Sequence, residues 1–182
     1  DIGERRETLF AVTIPERPGA LRRFCAIVGD HAITEFNYRF ADPKAAHIFV
    51  GVQVGNPADG KKLMNKLKRN GYAILDMTDN EMAKLHIRHL VGGRAPNAEN
   101  EVLYRFEFPE RPGALMNFLE QMGGRWNISL FHYRSHGADF GRVLVGIQVA
   151  ASDNKQFQSF LHSLGYEYIN ETHNPAYALF LG

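Results

Sequence analysis

This sequence of 182 residues has almost no excess of either charge, a single cysteine and no long apolar run. The 21 Lys and Arg residues nearly balance the 20 Asp and Glu residues, which leaves a formal net charge of +1. So small a net charge produces no long-range field that would attract nucleic acid or an anionic membrane. The single cysteine, Cys25, excludes an internal disulfide and any zinc or iron–sulfur site built from several cysteines. We therefore expect neither nucleic acid nor a membrane as a partner.

No apolar run reaches the roughly 18 to 20 residues that cross a bilayer. The N-terminal residues 1–7 are mostly polar and contain no signal-peptide core. Together with the free thiol, these features favour the cytoplasm. The chain begins with Asp1 and not with Met, so we expect it to be a piece of a longer protein.

What the chain does contain is an internal repeat. Residues 14–21 recur at 108–115 with seven of eight residues identical, an offset of 94. Residues 33–39 match 128–134 at an offset of 95, so one residue is inserted before the second strand of the later copy. The offset returns to 94 towards the end of each copy, and we divide the chain accordingly. We predict unit one over 8–81, a linker with a short helix over 82–101, and unit two over 102–175.

Each unit has the periodicity of an α+β domain of the order β-α-β-β-α-β. Apolar residues at helical spacing follow Pro18, and a second helix is predicted over 59–70. Segments rich in β-branched and aromatic residues favour strands. In unit one we predict these strands over 8–14, 34–40, 46–54 and 72–77. This order is the ferredoxin-like arrangement, in which two helices cover one face of a four-stranded antiparallel sheet.

No motif for catalysis or metal binding emerges. His132 and His136 are four residues apart, but on a strand that spacing spans about 13 Å, too far for one metal ion. The segment 152–155 contains overlapping Ser-Asp-Asn and Ser-x-x-Lys matches, which helix capping explains better than acyl transfer. Cys25 lies on the apolar stripe of its helix. We predict no catalytic and no metal-binding residues.

Two repeated features could recognise a ligand. Gly19 and Gly113 lie where a strand leads into a helix, and free N–H groups there attract a carboxylate. The same Pro-Gly turns would also serve simply to reverse the chain. The second strand of each unit carries a tyrosine followed by an arginine on the opposite sheet face, which suits either recognition or a scaffold. The candidate residues on these strands are Phe36, Asn37, Tyr38, Arg39, Phe131, His132, Tyr133 and Arg134.

The units resemble ACT domains, the amino-acid-sensing modules of biosynthetic enzymes. Segments 34–42, 82–86, 91–94 and 127–137 are similar to the C-terminal regulatory region of biosynthetic threonine deaminase (threonine ammonia-lyase). The resemblance covers nearly the whole chain. ACT domains favour Asp at the position that Glu16 and Glu110 hold in the two copies, so the units are better described as ACT-like.

The resemblance implies a pyridoxal-phosphate catalytic domain joined to this region, with isoleucine as feedback inhibitor and valine as activator. It also implies effector contacts by Tyr38 and Tyr133, one in each unit. A small zwitterion needs an apolar slot, a carboxylate anchor and an acceptor for its ammonium group. The aromatic rings, including Phe36 and Phe131, would line the slot. Amides near Gly19 and Gly113, or the side chains of Arg39 and Arg134, would hold the carboxylate.

We expect no cofactor in this chain, since none of its seven lysines follows the Ser-Phe sequence of the Schiff-base lysine. The expected partners are the catalytic domain and further copies of the chain, as a dimer of this fragment and a tetramer of the parent. We expect the second sheet face, bearing residues such as Phe49 or Val50, to mark an interface. The alternative function is a non-binding oligomerisation module. A plastid location follows if the parent comes from a plant.

Overall fold

The computed structural model describes residues 6–87, 92–109, 113–122, 124–134 and 140–181. His136 and Glu110 lie outside these residues, as does the side chain of Arg134. No helix within these ranges is both long and apolar enough to cross a membrane.

Unit one has the predicted order of elements. Its strands are β1 (Glu7–Pro15), β2 (Ile33–Arg39), β3 (Ala45–Gln53) and β4 (Ala73–Asp76), and its helices are α1 (Ala20–Val28) and α2 (Pro57–Arg69). Leu21, Phe24, Cys25 and Val28 form the buried stripe of α1, as their spacing predicts. The Asn56 side chain accepts a hydrogen bond from the Asp59 amide at 2.9 Å and caps α2.

Unit two repeats that order. Its strands are β5 (Glu101–Pro109), β6 (Asn127–Arg134), β7 (Phe140–Gln148) and β8 (Glu167–Asn170), and its helices are α3 (Ala114–Met122) and α4 (Asn154–Leu164). A further helix, α5 (Pro175–Phe180), follows. The α+β class and the duplicated β-α-β-β-α-β order are thus confirmed.

The two units share one antiparallel sheet of eight strands in the order β4-β1-β3-β2-β6-β7-β5-β8. They meet where β2 pairs with β6, with Phe36 opposite Tyr133 and Tyr38 opposite Phe131. This register relates the units by an approximate two-fold axis near Asn37 and His132. The Phe36 and Phe131 rings pack edge to face, with their centroids 5.1 Å apart. One apolar core therefore runs through both units.

The second sheet face is partly covered, and this corrects one expectation. Val50 points towards the main helices and is fully buried, because residues alternate along the strand. Its neighbour Phe49 does point to the second face, but it packs with Leu9, Met77 and Ala83 in a small separate cluster. Ala83 belongs to the π-helical segment Ala83–Ile87, which lies in the predicted linker.

Each unit therefore ends with an extra helical segment. The Thr78 hydroxyl accepts from the Leu9 amide at 3.1 Å, and the Thr172 hydroxyl accepts from the Leu103 amide at 3.0 Å. Two residues after each threonine, an asparagine begins the helical segment. The repeat thus continues into Ala83–Ile87 and α5, beyond the β-α-β-β-α-β pattern.

Candidate functional site

A small pocket lies on the helix side of the sheet, where the two units meet. We call it the interunit pocket. The lining from unit one comes from the end of β1, the turn 15–19, the start of α1, β2 and β3. The lining from unit two comes from the end of α3 and residues 124–128. Its cavity volume is ≈ 20 Å³. That is room for about one water molecule, so a larger ligand requires the pocket to widen.

Three residues that line this pocket each carry a buried polar atom without a hydrogen-bond partner among the described residues. These atoms are Oε1 of Glu16, the hydroxyl oxygen of Tyr38 and Nε1 of Trp126. Roughly nine in ten or more of such buried groups are hydrogen-bonded in proteins. Three unpartnered groups around one cavity are therefore the strongest sign of a binding site in this part of the chain.

Glu16 supplies the pocket with a titratable carboxyl group. Its Oε2 accepts a hydrogen bond from the Asn127 amide of the other unit at 3.1 Å. Burial raises the pKa of Glu16 to about 7, the hydrogen bond from Asn127 lowers it, and the nearby charge of Asp42 raises it further. A cation in the pocket would stabilise the ionised form.

The first turn of α1 supplies hydrogen-bond donors. Gly19 has φ +84° at the N-cap position, and no side chain in the described residues caps this helix. The Cβ that Gly19 lacks would lie 3.6 Å from the Cα of Gly124, so the backbones of the two units approach closely here. The Ala20 amide already donates to the Arg17 carbonyl at 3.2 Å, so the following amides of the first turn and the helix dipole are what favour an anion at this end.

Arg17 and Arg22 also line the pocket, and most of the remaining lining is apolar. Ile14, Ile48, Leu119, Met122 and Ile128 surround the cavity from both units. A carboxylate, a helix N-terminus and apolar walls in one pocket provide the three contacts that a zwitterion with an aliphatic side chain needs.

The structure brings only some of the predicted site residues to this pocket. Tyr38 and Gly19 line it. Phe36 and Phe131 lie in the core beside it and do not belong to its lining. Tyr133 is buried on β6 opposite Phe36, outside this pocket.

The remaining predicted residues lie elsewhere. Gly113 has φ +86° like Gly19, but the turn before it, 110–112, lies outside the described residues. Asn37 is buried on the second face, where its amide donates to Glu35 at 2.9 Å, and His132 is exposed. Arg134 pairs through its backbone with Glu35.

Arg39 is placed on the sheet face opposite Tyr38, and its guanidinium is bound within the protein. It donates to Glu101 Oε2 at 2.6 Å, to the Gly93 carbonyl at 2.8 Å and to the Leu181 carbonyl at 2.5 Å. The Tyr177 hydroxyl donates to the other oxygen of Glu101 at 2.6 Å. We call Arg39, Glu101 and Tyr177 the Arg39 cluster; it joins both units to the linker and to α5. A carboxylate anchor in the interunit pocket must come from other groups.

Sequence reasoning missed Glu16, Trp126 and Asn127 as pocket residues. The signal was present, because the inserted residue of the later copy falls within 124–127, the segment that supplies Trp126 and Asn127. An insertion in a close duplication marks a place where the copies are used differently. Glu16 was noted only for its departure from Asp.

No lysine among the described residues is placed to bind pyridoxal phosphate in the interunit pocket. Six of the seven lysines are exposed, Lys84 is half-buried, and none lines the interunit pocket. Cys25 offers no nucleophile either, since full burial raises the pKa of its thiol to about 12.

Two ACT-like units in one sheet, with a pocket between them, define a regulatory domain. A comparison with known families agrees, since the C-terminal regulatory domain of threonine dehydratase matches residues 1–87 and 92–181. The chain belongs to this family.

Several curated relatives are similar over nearly all of this chain. L-threonine dehydratase biosynthetic IlvA of Burkholderia multivorans is 54% identical, with 100% of this chain and 36% of that protein covered. The Escherichia coli protein of the same name is 50% identical, with 100% and 35% covered. Threonine dehydratase 1 biosynthetic, chloroplastic, of Solanum lycopersicum is 43% identical, with 100% and 30% covered. The chain thus spans about a third of the length of these relatives.

Proposed function

We propose that this chain is the effector-sensing part of a biosynthetic threonine dehydratase, and that branched-chain amino acids bind in its interunit pocket. Isoleucine would act as feedback inhibitor and valine as activator. The observation that carries the proposal is the set of three unpartnered polar atoms, on Glu16, Tyr38 and Trp126, around an apolar cavity at the N-terminus of α1.

The binding mode follows from the chemistry of the lining. The ammonium group of the amino acid faces the Glu16 carboxylate, and its carboxylate group lies against the first amides of α1. The Tyr38 hydroxyl supplies one further hydrogen bond. The aliphatic side chain extends between Ile48 and Met122, one from each unit, where its burial is favourable.

Regulation requires that an effector bind one conformation better than another. The cavity of ≈ 20 Å³ is too small for an amino acid, so binding separates its walls. Those walls belong to different units, since Leu119 and Met122 of α3 face the turn at Glu16 and Gly19. Each effector therefore changes how the two units fit together, and a different side chain changes it to a different extent.

Calorimetry of the chain with isoleucine and valine tests the proposal. We expect heat from both amino acids, and we expect Glu16→Gln to weaken binding by about 10- to 100-fold, because a charged hydrogen bond is worth about 1.5–3 kcal/mol. Glu120→Gln, on the exposed side of α3, is the matched control and should bind as the native chain does. No heat from the native chain, or unchanged binding by Glu16→Gln, would refute the proposal.

The parent enzyme extends the proposal. Its pyridoxal-phosphate catalytic domain would lie in the part of the relatives that this chain does not span. In that enzyme, Glu16→Gln should weaken the response to the effectors that bind in this pocket while leaving uninhibited turnover nearly unchanged, because the reacting atoms would lie in the catalytic domain. We propose the cytoplasm as its location, or a plastid for a plant parent.

A second site, at Tyr133 and Gly113, remains part of the proposal. The repeat gives this region the same strand, tyrosine and left-handed glycine as the interunit pocket. Tyr133→Ala should therefore alter the response of the parent enzyme to one effector. An unchanged response to both would make this strand a scaffold.

One observation favours assembly as a second candidate function. Leu75 and Ile169 are repeat equivalents, as are Leu85 and Leu179, and all four are more than half exposed. Apolar side chains exposed twice at equivalent positions suit an interface between copies, as a dimer of the fragment or a tetramer of the parent. Light scattering tests this role independently of ligand binding.

A further inference from the structure

Trp126 forms a closely packed wall of the interunit pocket. Only 3% of its surface is exposed. Its ring centroid lies 5.3 Å from that of Phe157 and 5.7 Å from that of Phe160. The guanidinium of Arg125 lies 4.6 Å from the ring centre. Because the phenylalanines behind it are themselves buried, this wall has no space into which to retreat.

The turn before α1 lines the same pocket and is more exposed. Pro15 and Arg17, which flank Glu16, are exposed to solvent. The charged groups of a bound amino acid lie at this side, because Glu16 and the start of α1 are here. An effector side chain therefore extends inward, and its length is limited by the side chains that cannot move.

We infer that Trp126 sets this limit, so that the interunit pocket binds valine in preference to isoleucine. The inference rests on the proposed function, that this pocket binds branched-chain amino acids. Isoleucine carries one more methylene than valine, and a fitted apolar pocket distinguishes such a pair by roughly 10- to 200-fold. Widening an already close-packed wall for that methylene is unfavourable.

The duplication supports this role for the indole. In the register of the sheet, Ala32, whose carbonyl accepts from the Gln53 amide, corresponds to Asn127, which pairs with Gln148. The counterpart of Trp126 in unit one is therefore His31, which is half-buried. The same fold thus accepts a smaller, polar ring at this point, so the indole is not a general requirement of the unit. Because the two units differ at this residue, the two equivalent sites of one chain would respond differently to two effectors of nearly the same shape.

The single tryptophan of the chain makes a direct test possible. Its emission reports on this pocket, so titration of the native chain with valine and with isoleucine gives a dissociation constant for each here. We expect valine to bind at least tenfold more tightly than isoleucine. Glu16→Gln should remove the emission change at these concentrations, which confirms that the signal comes from this pocket.

Trp126→Leu then removes the wall, and calorimetry should show the preference reduced at least tenfold or reversed in favour of isoleucine. If this variant fails to fold, the native titration alone still decides. Equal or tighter binding of isoleucine in that titration overturns the inference and leaves the proposed function intact. An absence of both heat and emission change with either amino acid overturns the proposed function, and the inference with it.

Discussion

Unit one and unit two build the same half-sheet from the same order of elements, yet they are unequal where they meet. In the segment before the second strand, unit two brings Trp126 and Asn127 to the interunit pocket, whereas unit one has His31 and Ala32 at the equivalent positions. On the other face, unit one places the small Ala83 over its sheet, whereas unit two places Tyr177 at the equivalent position, in the Arg39 cluster. The order of elements that the two units share forms the sheet, and the side chains that differ between them form the interunit pocket and the Arg39 cluster.

The largest effect that we expect concerns the Arg39 cluster. Arg39→Ala should lower the free energy of unfolding by about 3–5 kcal/mol, because it leaves the buried carboxylate of Glu101 without its cationic partner, with only the hydroxyls of Tyr177 and Ser129 still donating to it. The two side chains are only 4% and 5% exposed. The change also removes donors from the Gly93 and Leu181 carbonyls. Urea denaturation measures the difference.

A matched change in unit two sharpens this comparison. Nε of Arg105 lies 3.4 Å from Oε2 of Glu171, but the Arg105 side chain is 52% exposed. Arg105→Ala should therefore cost less than about 1 kcal/mol. Similar losses from both variants would mean that the Arg39 cluster does not join the units more strongly than a surface pair does.

The contrast also shows what could be predicted from sequence. The periodicity of α1 and the repeat were enough for the order of helices and strands along each unit, because both depend on local patterns. The pairing of β2 with β6 depends on contacts between copies, which no local pattern records. Arg39 was correctly placed on the face opposite Tyr38, but its partners Gly93 and Leu181 are 54 and 142 residues away in the chain.

The second expected effect is a pH dependence of effector binding. In the free chain the pKa of Glu16 is raised from 4.5 to about 7, chiefly by burial. The stability that the neutral carboxyl group contributes is therefore present below pH 4.5 and is lost as the pH rises through about 7. An effector ammonium group requires the ionised form, so binding near or below pH 7 releases a proton.

Affinity should consequently fall as the pH falls below about 7, by up to about tenfold per pH unit. Calorimetry in buffers of different ionisation enthalpy counts the released protons. Glu16→Gln should show a flat profile over the same range. A native profile equally flat would exclude Glu16 as the acceptor of the ammonium group.

A smaller effect distinguishes the two tyrosines. Tyr38→Phe removes a hydroxyl that has no hydrogen-bond partner among the described residues, so the stability of the free chain should not fall. Effector affinity at the interunit pocket should fall about 2- to 10-fold, which corresponds to about 0.5–1.5 kcal/mol for one hydrogen bond. Tyr133→Phe should leave the Trp126 emission titration unchanged, since Tyr133 does not line this pocket. Equal losses from both variants would show that the two tyrosines act on one site.

The smallest effect on stability is expected on the second face. Leu85→Ser and Leu179→Ser change repeat-equivalent side chains that are 60% and 66% exposed. Each should change the free energy of unfolding by no more than about 0.5 kcal/mol, because exposed side chains make few contacts within one chain. If these residues join copies of the chain, light scattering at tens of micromolar should show a dimer for the native chain and a smaller mass for the double variant. A loss of mass with only one of the single variants would show that the two copies of this surface have diverged, as the copies at the interunit pocket have. A native chain that is already monomeric would exclude self-association of the fragment through this face and would leave the exposed leucines for a different partner.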